Sequence, residues 1–553
     1  MNTVFIFISK LHFQNLYMTR EIKVTVIDGY IDDPAALGVP PYISPMIRAI
    51  AGAAIDAGAS VSYISVDMLR KGTKIQDSDV SVVLSGNTVP GKYLRSMPMS
   101  TKELESLVPM LKGWKLLGGS ASSSDVAKHF DFVVKTDLAA SLYDGMIGKE
   151  VGERFRTLDE WNRWMLLGAD IVTEHQDFPH PLIAEIETYR GCHRYKSGGC
   201  SYCIEPLKGK PLTRDPKDII AEAAKLRSLG VRNLRVGGQT CIISYGSKDE
   251  GDPPRPDLKM IHELFKGLND LRFDVLHVDN ANPAVISEYP KESREIMEIL
   301  RDHCTAGNVL ALGMESADPK VIKGNNLNCT PEQMIDAVRM INDIGKERGN
   351  NGMPRLLPGI NIICGLDEET PETYKLDLKI LEDIRDEGLI IRRINIRQVL
   401  PLRKEFNVKV DHSRFKKFKE VVRDDIDQEM LRRVVPEGTI LKDVYMELPD
   451  GNTTFGRQLG SYPLLVGVPY KLETERSYDV IITDWGFRSV TGITYPFNIN
   501  SMPMSALATL PGIGKKRAAA IVMKRPFDCF EDLEDVIDDK KVSDALKDII
   551  TLE

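Results

Sequence analysis

The chain has 553 residues, 42% of them apolar, and a formal net charge of −8. At roughly 150 residues per domain this is material for three or four cores. The acidic balance excludes a protein that holds nucleic acid by its overall charge, so any such contact has to come from a local basic patch.

In chain order, the first apolar run is Val4-Phe-Ile-Phe-Ile8, too short for a membrane span and without the basic lead-in of a signal peptide. Met18, followed by Thr-Arg-Glu and a strand pattern, is an equally good start, so residues 1–17 read as a misassigned start or a disordered lead. From Ile22 the pattern is α/β and of an open, Rossmann-like kind over residues 18–136. Strands are predicted at Ile22 to Ile27, Val61 to Val66, Val80 to Leu84, Trp114 to Leu117 and Phe130 to Val134, with a helix from Met46 to Ala57 after a Gly/Pro-rich loop. The turns Asp28-Gly-Tyr-Ile-Asp-Asp33, Ser85-Gly-Asn87 and Gly118-Gly-Ser120 follow strands, where ligands bind in such sheets. They are equally well explained as ordinary turn chemistry. Residues 137–180, with Trp161 and Trp164, read as a helical connector.

A regular alternation occupies residues 181–436. Strands are predicted at Leu182 to Glu187, Asn233 to Val236, Phe273 to Val278, Val309 to Gly313, Gly359 to Ile363 and Arg393 to Val399. Helices centre on Ala221 to Leu229, Leu258 to Leu268, Ser293 to Leu300, Glu332 to Ile344, Glu372 to Ile384 and Phe415 to Leu431. Asp215-Pro216, Thr330-Pro331 and Thr370-Pro371 are cap-plus-proline helix starts. The pattern is that of a partial (β/α)6 barrel, whose reactive groups belong on the loops at the carboxyl ends of the strands.

The first of those loops reads Glu187-Thr-Tyr-Arg-Gly-Cys192-His-Arg-Tyr-Lys-Ser-Gly-Gly-Cys200-Ser-Tyr-Cys203. Eight cysteines, three clustered here and five scattered, point to a metal or redox site in a reducing compartment, the cytoplasm, rather than to a disulfide framework. Thiolates are the soft ligands that Fe–S clusters select, and a cubane held by three of them keeps one iron open for chemistry. Structural zinc closes four ligands in paired units; only one Cys-x-x-Cys pair is present, and His193 lies awkwardly beside Cys192. A structural four-cysteine cluster would need another thiolate nearby, and the next is Cys241, beyond a further strand. Cys241, Cys304, Cys329 and Cys364 read as small buried hydrophobes rather than a second cluster.

Beyond Pro449-Asp-Gly451 short alternating runs predict a small β-barrel, taken as residues 437–498, with strands at Phe455 to Gln458, Pro463 to Val468, Tyr478 to Thr483 and Ser489 to Thr494. Residues 501–527 contain no acidic residue but carry Lys515, Lys516, Arg517, Lys524 and Arg525. Within them Gly512 and Gly514 permit a tight turn whose following helix start can meet a phosphate, and the lysines add sequence-independent attraction. The same motif also serves simply to pack helices or to contact proteins. The acidic run Glu531 to Asp539 confines any phosphate contact to a narrow face.

The three-cysteine loop resembles that of the radical S-adenosylmethionine (radical SAM) superfamily, usually Cys-x3-Cys-x-aromatic-Cys; Tyr202 is the aromatic residue, and the first gap is seven residues rather than three. Gly237-Gly238-Gln239 matches the family's Gly-Gly-Glu position, whose backbone meets the methionine amino group. Gly313-Met-Glu315-Ser316, Gly359-Ile-Asn-Ile-Ile363-Cys-Gly365 and Asn395-Ile-Arg397-Gln resemble cofactor-contacting segments behind the fourth, fifth and sixth strands. The resemblance implies a [4Fe–4S] cluster on Cys192, Cys200 and Cys203. It also implies S-adenosylmethionine held by Tyr202, Gly237, Gly238, Gln239, Glu315, Ser316, Ile363 and Arg397, and an electron donor such as ferredoxin or flavodoxin. Arg194, Tyr195 and Lys196, in the long first gap, are expected to contact substrate or the N-terminal domain.

The N-terminal layout resembles the cobalamin-binding or cobalamin-derived domain that precedes many radical SAM domains, but Asp-x-His-x-x-Gly is missing, which speaks against cobalamin. A second N-terminal cluster, as in methylthiotransferases, is excluded because Cys192 is the first cysteine. Gly456-Arg-Gln-Leu-Gly-Ser-Tyr-Pro463, Asp479-Val-Ile-Ile-Thr-Asp484 and Arg488-Ser-Val-Thr-Gly492 resemble a TRAM domain, the RNA-binding barrel of methylthiotransferases. Leu510-Pro-Gly512-Ile-Gly514-Lys-Lys-Arg-Ala518 resembles a helix-hairpin-helix over residues 499–553, with Gly512, Gly514, Lys515, Lys516 and Arg517 as its nucleic-acid contacts. The order of parts is similar to an uncharacterised archaeal Fe–S oxidoreductase family with a C-terminal helix-hairpin-helix. The expected activity is radical modification of a nucleic acid, RNA ahead of DNA. The alternatives are a radical enzyme acting on a protein side chain or small molecule, and a DNA-binding repair or scaffold protein with a structural cluster.

Overall fold

Val24, Val26 and Ile27 make the strand Lys23–Asp28 buried on both faces, the mark of a central parallel strand. It pairs in parallel with Ser60–Ser65 on one side and Val80–Leu84 on the other, and the sheet continues through Trp114–Gly118 to Phe132–Val133. The structure, a computed structural model, describes residues 21–31, 41–86, 95–510 and 512–552. The run at residues 4–8, Met18, the turn residues Asp32, Asp33 and Asn87, and Pro511 lie outside these. Among the described residues no helix is long and apolar enough to cross a membrane.

The helix Pro45–Asp56 starts at Ser44, whose side chain accepts from the Met46 amide, with proline in its first turn. Gly52 lets it approach the helix Leu158–Leu167: a Cβ there would lie 1.9 Å from the Trp164 carbonyl oxygen. A Cβ on Gly168 would meet the Arg48 carbonyl oxygen at 1.8 Å. Gly52→Ala therefore forces two backbones apart, and we expect about 1–3 kcal/mol of destabilisation, read as a lowered midpoint in urea. The connector is helical, as Leu138–Met146, Leu158–Leu167 and the 3-10 segment Gly168–Glu174.

All six strands of the repeat are present, as two parallel sheets. Ile183–Glu187, Asn233–Gly237 and Val275–Val278 form one; Asn308–Glu315, Leu356–Cys364 and Arg393–Gln398 form the other. Tyr42–Ile43, read from sequence as loop, is a short strand that extends the first of these sheets by pairing with Ile183 and Ala184; two residues are too few to show a period. Asp215, Thr330 and Thr370 cap their helices with proline in the first turn. The helix expected over Phe415 to Leu431 is interrupted: His412–Val421 and Gln428–Val434 are α-helical, and Val422–Asp427 between them is a π-helix.

A closed five-strand barrel follows, in the order Ile440–Asp450, Thr453–Gln458, Leu465–Val468, Ser489–Thr494, Arg476–Trp485. Its first strand begins ahead of the Pro449-Asp-Gly451 texture change, which is the turn of its first hairpin. Val444, Met446, Val466, Val480, Val490 and Ile493 fill its core, which is continuous with Leu507, Ile513, Ile521 and Leu533 of the C-terminal helices. Contacts divide the chain into two compact units. One spans residues 1–193, 208–250 and 254–279; the other spans 194–207, 251–253 and 280–553.

Candidate active site

In the first unit the cysteine loop leaves the strand Ile183–Glu187 through a two-residue ladder, Tyr189–Arg190 against Leu212–Thr213. Gly191, at φ +100°, passes so close to Gly209 that a Cβ would lie 2.8 Å from its carbonyl oxygen. The half-buried Cys192 follows, its amide 3.5 Å from that same oxygen. The next strand end carries Gly237, Gly238 and Gln239. A Cβ on Gly237 would lie 1.9 Å from Glu185 Oε1, and Gly238 sits at φ +75°. Gln239 is buried: its Oε1 accepts from Thr188 Oγ1 at 3.2 Å, and its Nε2 donates to the carbonyls of Val236 (3.2 Å) and Asp279 (2.9 Å). The glutamine side chain thus braces neighbouring strand ends.

In the second unit the rest of the loop is pinned by its backbone. Arg403 Nη1 donates to the carbonyls of Gly198 (2.7 Å), Cys200 (3.0 Å) and Cys203 (3.4 Å). Asn326 Nδ2 donates to those of Ser197 (3.0 Å) and Gly199 (2.9 Å), and the Ser201 amide donates to the Asn325 carbonyl at 2.9 Å. Arg194, expected to face substrate or the N-terminal domain, bonds to Asn326 and Asp252, and its Nη1 lies 3.4 Å from Cys200 Sγ. An N–H directed at a cluster sulfur raises its reduction potential. Cys200, Tyr202 and Ile363 pack against Val321, Leu327 and Leu366.

Tyr202 hydrogen-bonds the buried Glu315 carboxyl, which burial pushes up to about 7. Glu315 stands at φ +65°, beside a bulge at the end of Asn308–Glu315. Its neighbour Ser316 donates to Asp377 Oδ1 at 3.1 Å, which also accepts from the Ala317 amide at 2.6 Å. Arg397 Nε donates to Asn395 Oδ1 at 3.1 Å, and Asn395 Nδ2 to Asn361 Oδ1 at 3.2 Å. Tyr202 thus joins Glu315 to the apolar cluster that Cys200 and Ile363 share in the second unit, with Ser316 beside Glu315 and Arg397 on the last strand. Cys192, Gly237, Gly238 and Gln239 sit at strand ends of the first.

Sequence reasoning missed Arg403, Asn325 and Asn326. Arg403 and Asn326 hold carbonyls of a distant loop and Asn325 accepts from its Ser201 amide, which leaves no local spacing. None of the eight cysteines forms a disulfide; Cys241, Cys304, Cys329 and Cys364 are buried. Among the described residues no three of His, Cys, Asp and Glu stand as close as a single metal ion requires. In a cubane each thiolate binds a different iron, so its ligands stand further apart than those of one ion. Three half-buried thiols on a loop fixed through its carbonyls have the donor chemistry of such a cluster.

At the C-terminus a short helix, Met504–Leu507, leads through Gly512 (φ +75°) and Gly514 (φ +51°) into the helix Gly514–Lys524. Lys515 and Lys516 are exposed. Arg517 is partly exposed and donates to the Gly512 carbonyl at 2.6 Å and to Asp539 Oδ2 at 3.2 Å.

Residues 186–381 match the Radical SAM superfamily. An uncharacterised protein of Methanocaldococcus jannaschii is 43% identical over 507 residues, covering 85% of this chain and 93% of the relative. A tRNA-2-methylthio-N(6)-dimethylallyladenosine synthase of Protochlamydia amoebophila is 28% identical over 204 residues, 36% of this chain and 40% of the relative. Among solved structures, the radical S-adenosylmethionine methyltransferase TsrM from Kitasatospora setae, with cobalamin and a [4Fe–4S] cluster bound, superposes with a TM-score of 0.46 at 14% identity, covering 69% of this chain and 76% of that one. Three cysteines on the loop behind the first strand of a parallel repeat, and the family match over residues 186–381, place the protein in the radical SAM superfamily, enzymes that work with a [4Fe–4S] cluster and S-adenosylmethionine.

Proposed function

We propose that the protein cleaves S-adenosylmethionine at the Cys192, Cys200 and Cys203 loop and uses the resulting radical to modify RNA, with tRNA as the substrate. The observation that carries the substrate reading is the exposed pair Lys515 and Lys516, at the start of an 11-residue helix in a chain of net charge −8. The first-turn amides of that helix and the two ammonium groups together suit a phosphate. The closed barrel between the repeat and this helix fits a TRAM-like role, and the partial likeness to a tRNA-modifying synthase points the same way.

Cys192, Cys200 and Cys203 would hold the cluster, which when bound supplies the electron that splits S-adenosylmethionine into methionine and a hydrogen-abstracting 5′-deoxyadenosyl radical. The chain's own residues orient and enclose. Arg403, Asn325 and Asn326 fix the loop through its backbone. Gly237 and Gly238 leave room where any side chain would collide with Glu185 or Glu187, so that backbone can meet the methionine moiety. In the second unit Glu315, Ser316, Ile363 and Arg397 would contact the cofactor, and the apolar residues around Tyr202 exclude water. Ferredoxin or flavodoxin would deliver the electron.

The test has two arms. Reduced, reconstituted protein should release 5′-deoxyadenosine from S-adenosylmethionine, and it should bind unfractionated tRNA with a salt dependence that falls by about one to two units in the logarithmic plot on Lys515→Ala/Lys516→Ala. Release of 5′-deoxyadenosine with tRNA binding that is absent, or unaltered by salt and by the variant, would move the substrate to a protein or small molecule. No release at all would favour a structural cluster on a DNA-binding scaffold.

A further inference from the structure

Three arginines far apart in sequence meet in the second unit. Arg393 begins the strand Arg393–Gln398, Arg423 lies in the π-helix Val422–Asp427, and Arg488 lies on the connection between the barrel strands Arg476–Trp485 and Ser489–Thr494. We propose that Arg393, Arg423 and Arg488 form a phosphodiester-binding site for the RNA substrate, beside the last strand of the catalytic repeat. This rests on the RNA reading above and adds to it where the chain is gripped.

The guanidinium groups are arranged for an oxyanion. Arg393 lies over the Tyr462 ring at 4.3 Å and Arg423 over the Phe487 ring at 4.5 Å, so aromatic faces cover their planes. Their edges are left over: Nη1 and Nη2 of Arg393 and Nε of Arg423 are buried without a hydrogen-bond partner in the protein. Buried guanidinium N–H groups without acceptors cost free energy, and phosphate oxygens match that fork geometry. Arg392 next door shows the contrast, since its Nη2 donates to the carbonyls of Tyr462 (3.1 Å) and Pro463 (3.0 Å) and holds structure.

The local charge is strongly positive. Partial burial, then Arg423 and Arg393, hold the Arg488 guanidinium below its ordinary basicity; burial, then Arg488 and Arg423, do the same to Lys419. Asp427 is the carboxylate set among them, and burial pushes it up to about 6 in spite of Arg488, Arg423 and Arg392. One such group cannot balance this many cations. The π-helix that presents both Arg423 and Asp427 is an uncommon conformation found mostly at functional sites.

A polymer fits better than a lone ion. Phe487, 47% exposed beside Arg423, offers a face on which a base can stack. Arg393, Asn395 and Arg397 share one face of their strand, and at ~3.3 Å per residue this polar ladder runs about 13 Å. Its far end is followed by Val399, which packs in the cluster of Cys200, Tyr202 and Ile363. A phosphate held at Arg393 and Arg423 therefore leaves the adjoining nucleotide to lie along the ladder towards the cofactor residues.

The test uses full-length reconstituted protein and unfractionated tRNA, titrated at several chloride concentrations. Arg423→Gln/Arg488→Gln should bind about tenfold or more weakly, with a salt slope reduced by one to two units. Asp427→Asn removes the opposing carboxylate and should bind more tightly than the wild type, an opposite shift that a folding defect would not produce. Circular dichroism melts monitor the fold of all three proteins. Wild-type affinity and slope in the double variant would overturn this site alone, whereas a wild-type protein that binds no tRNA would overturn the RNA reading and the site with it. Replacing chloride with inorganic phosphate at constant ionic strength should leave tRNA bound; release to the level of the double variant would make this a site for free phosphate instead.

Discussion

Replacing Cys192, Cys200 and Cys203 together with alanine is expected to abolish cluster binding on anaerobic reconstitution and to reduce 5′-deoxyadenosine release to background, while the circular dichroism melt stays close to wild type. The first half follows from ligand chemistry: the methyl group of alanine offers iron nothing, and the buried thiols of the repeat are poor replacements. Cys304 and Cys364 are buried, and burial pushes both thiols well above their ordinary range, so they stay protonated and are poor ligands. The second half follows from how the loop is held. Arg403 and Asn326 grip carbonyl oxygens of Ser197, Gly198, Gly199, Cys200 and Cys203, and those carbonyls survive the substitutions. Iron retained at wild-type stoichiometry by the triple variant would defeat the assignment. A collapsed melt would show instead that the thiol side chains carry stability that the backbone bonds do not.

The repeat was legible because its strands and helices are local in origin. Val309 to Gly313 and Gly359 to Ile363 announce buried strands by composition, and Thr330-Pro331 and Thr370-Pro371 announce helix starts by cap chemistry. The barrel strand Ile440–Asp450 was partly hidden, because Lys442, Asp443 and Glu447 dilute its alternation. Glu447 is in fact buried and paired with Arg457 through bonds of 2.6 and 2.8 Å. The π-helix was invisible, since the sequence there continues an ordinary helical pattern from Phe415.

Within the site the cysteines stood out by type and spacing, whereas Arg403 and Asn325 did not. A guanidinium that holds carbonyls about two hundred residues away in sequence has no local signature. The same limit hid the Arg393, Arg423 and Arg488 cluster, which exists only once a strand, a π-helix and a barrel connection converge. Sequence grouped Arg517 with Lys515 and Lys516 as a phosphate contact, and the structure directs it to Gly512 and Asp539, where it braces the turn that presents the two lysines.

Glu222→Ala is expected to destabilise the first unit by about 3–5 kcal/mol, the cost of breaking a buried ion pair by removing one partner. Glu222, in the helix Pro216–Leu229, is fully buried between two fully buried arginines: its Oε1 pairs with Arg48 and its Oε2 with Arg214, the latter at 2.6 Å. Arg48 also donates to the Glu185 carbonyl. Arg214 donates to the Glu187 carbonyl at 3.1 Å and to Asn162 at 2.9 Å, and it lies 5.5 Å from the Trp161 ring. One carboxylate thus joins the helix Pro45–Asp56, the connector and the first repeat helix to the strand from which the cysteine loop departs. Without it two guanidinium groups face each other in the interior. Both arginines hold the carboxyl of Glu222 below its usual range despite burial, so the pair's contribution is present above the unfolded carboxylate pKa and is lost as pH falls through the lowered folded value. Urea unfolding followed by tryptophan fluorescence is the suitable measurement, because Trp161 and Trp164 are buried beside this network. Glu222→Gln, which keeps a hydrogen-bond acceptor but not the charge, should fall between alanine and wild type. If alanine and glutamine lose the same amount, shape and packing rather than charge hold the junction; if neither loses anything, the triad is not what fixes the root of the cysteine loop.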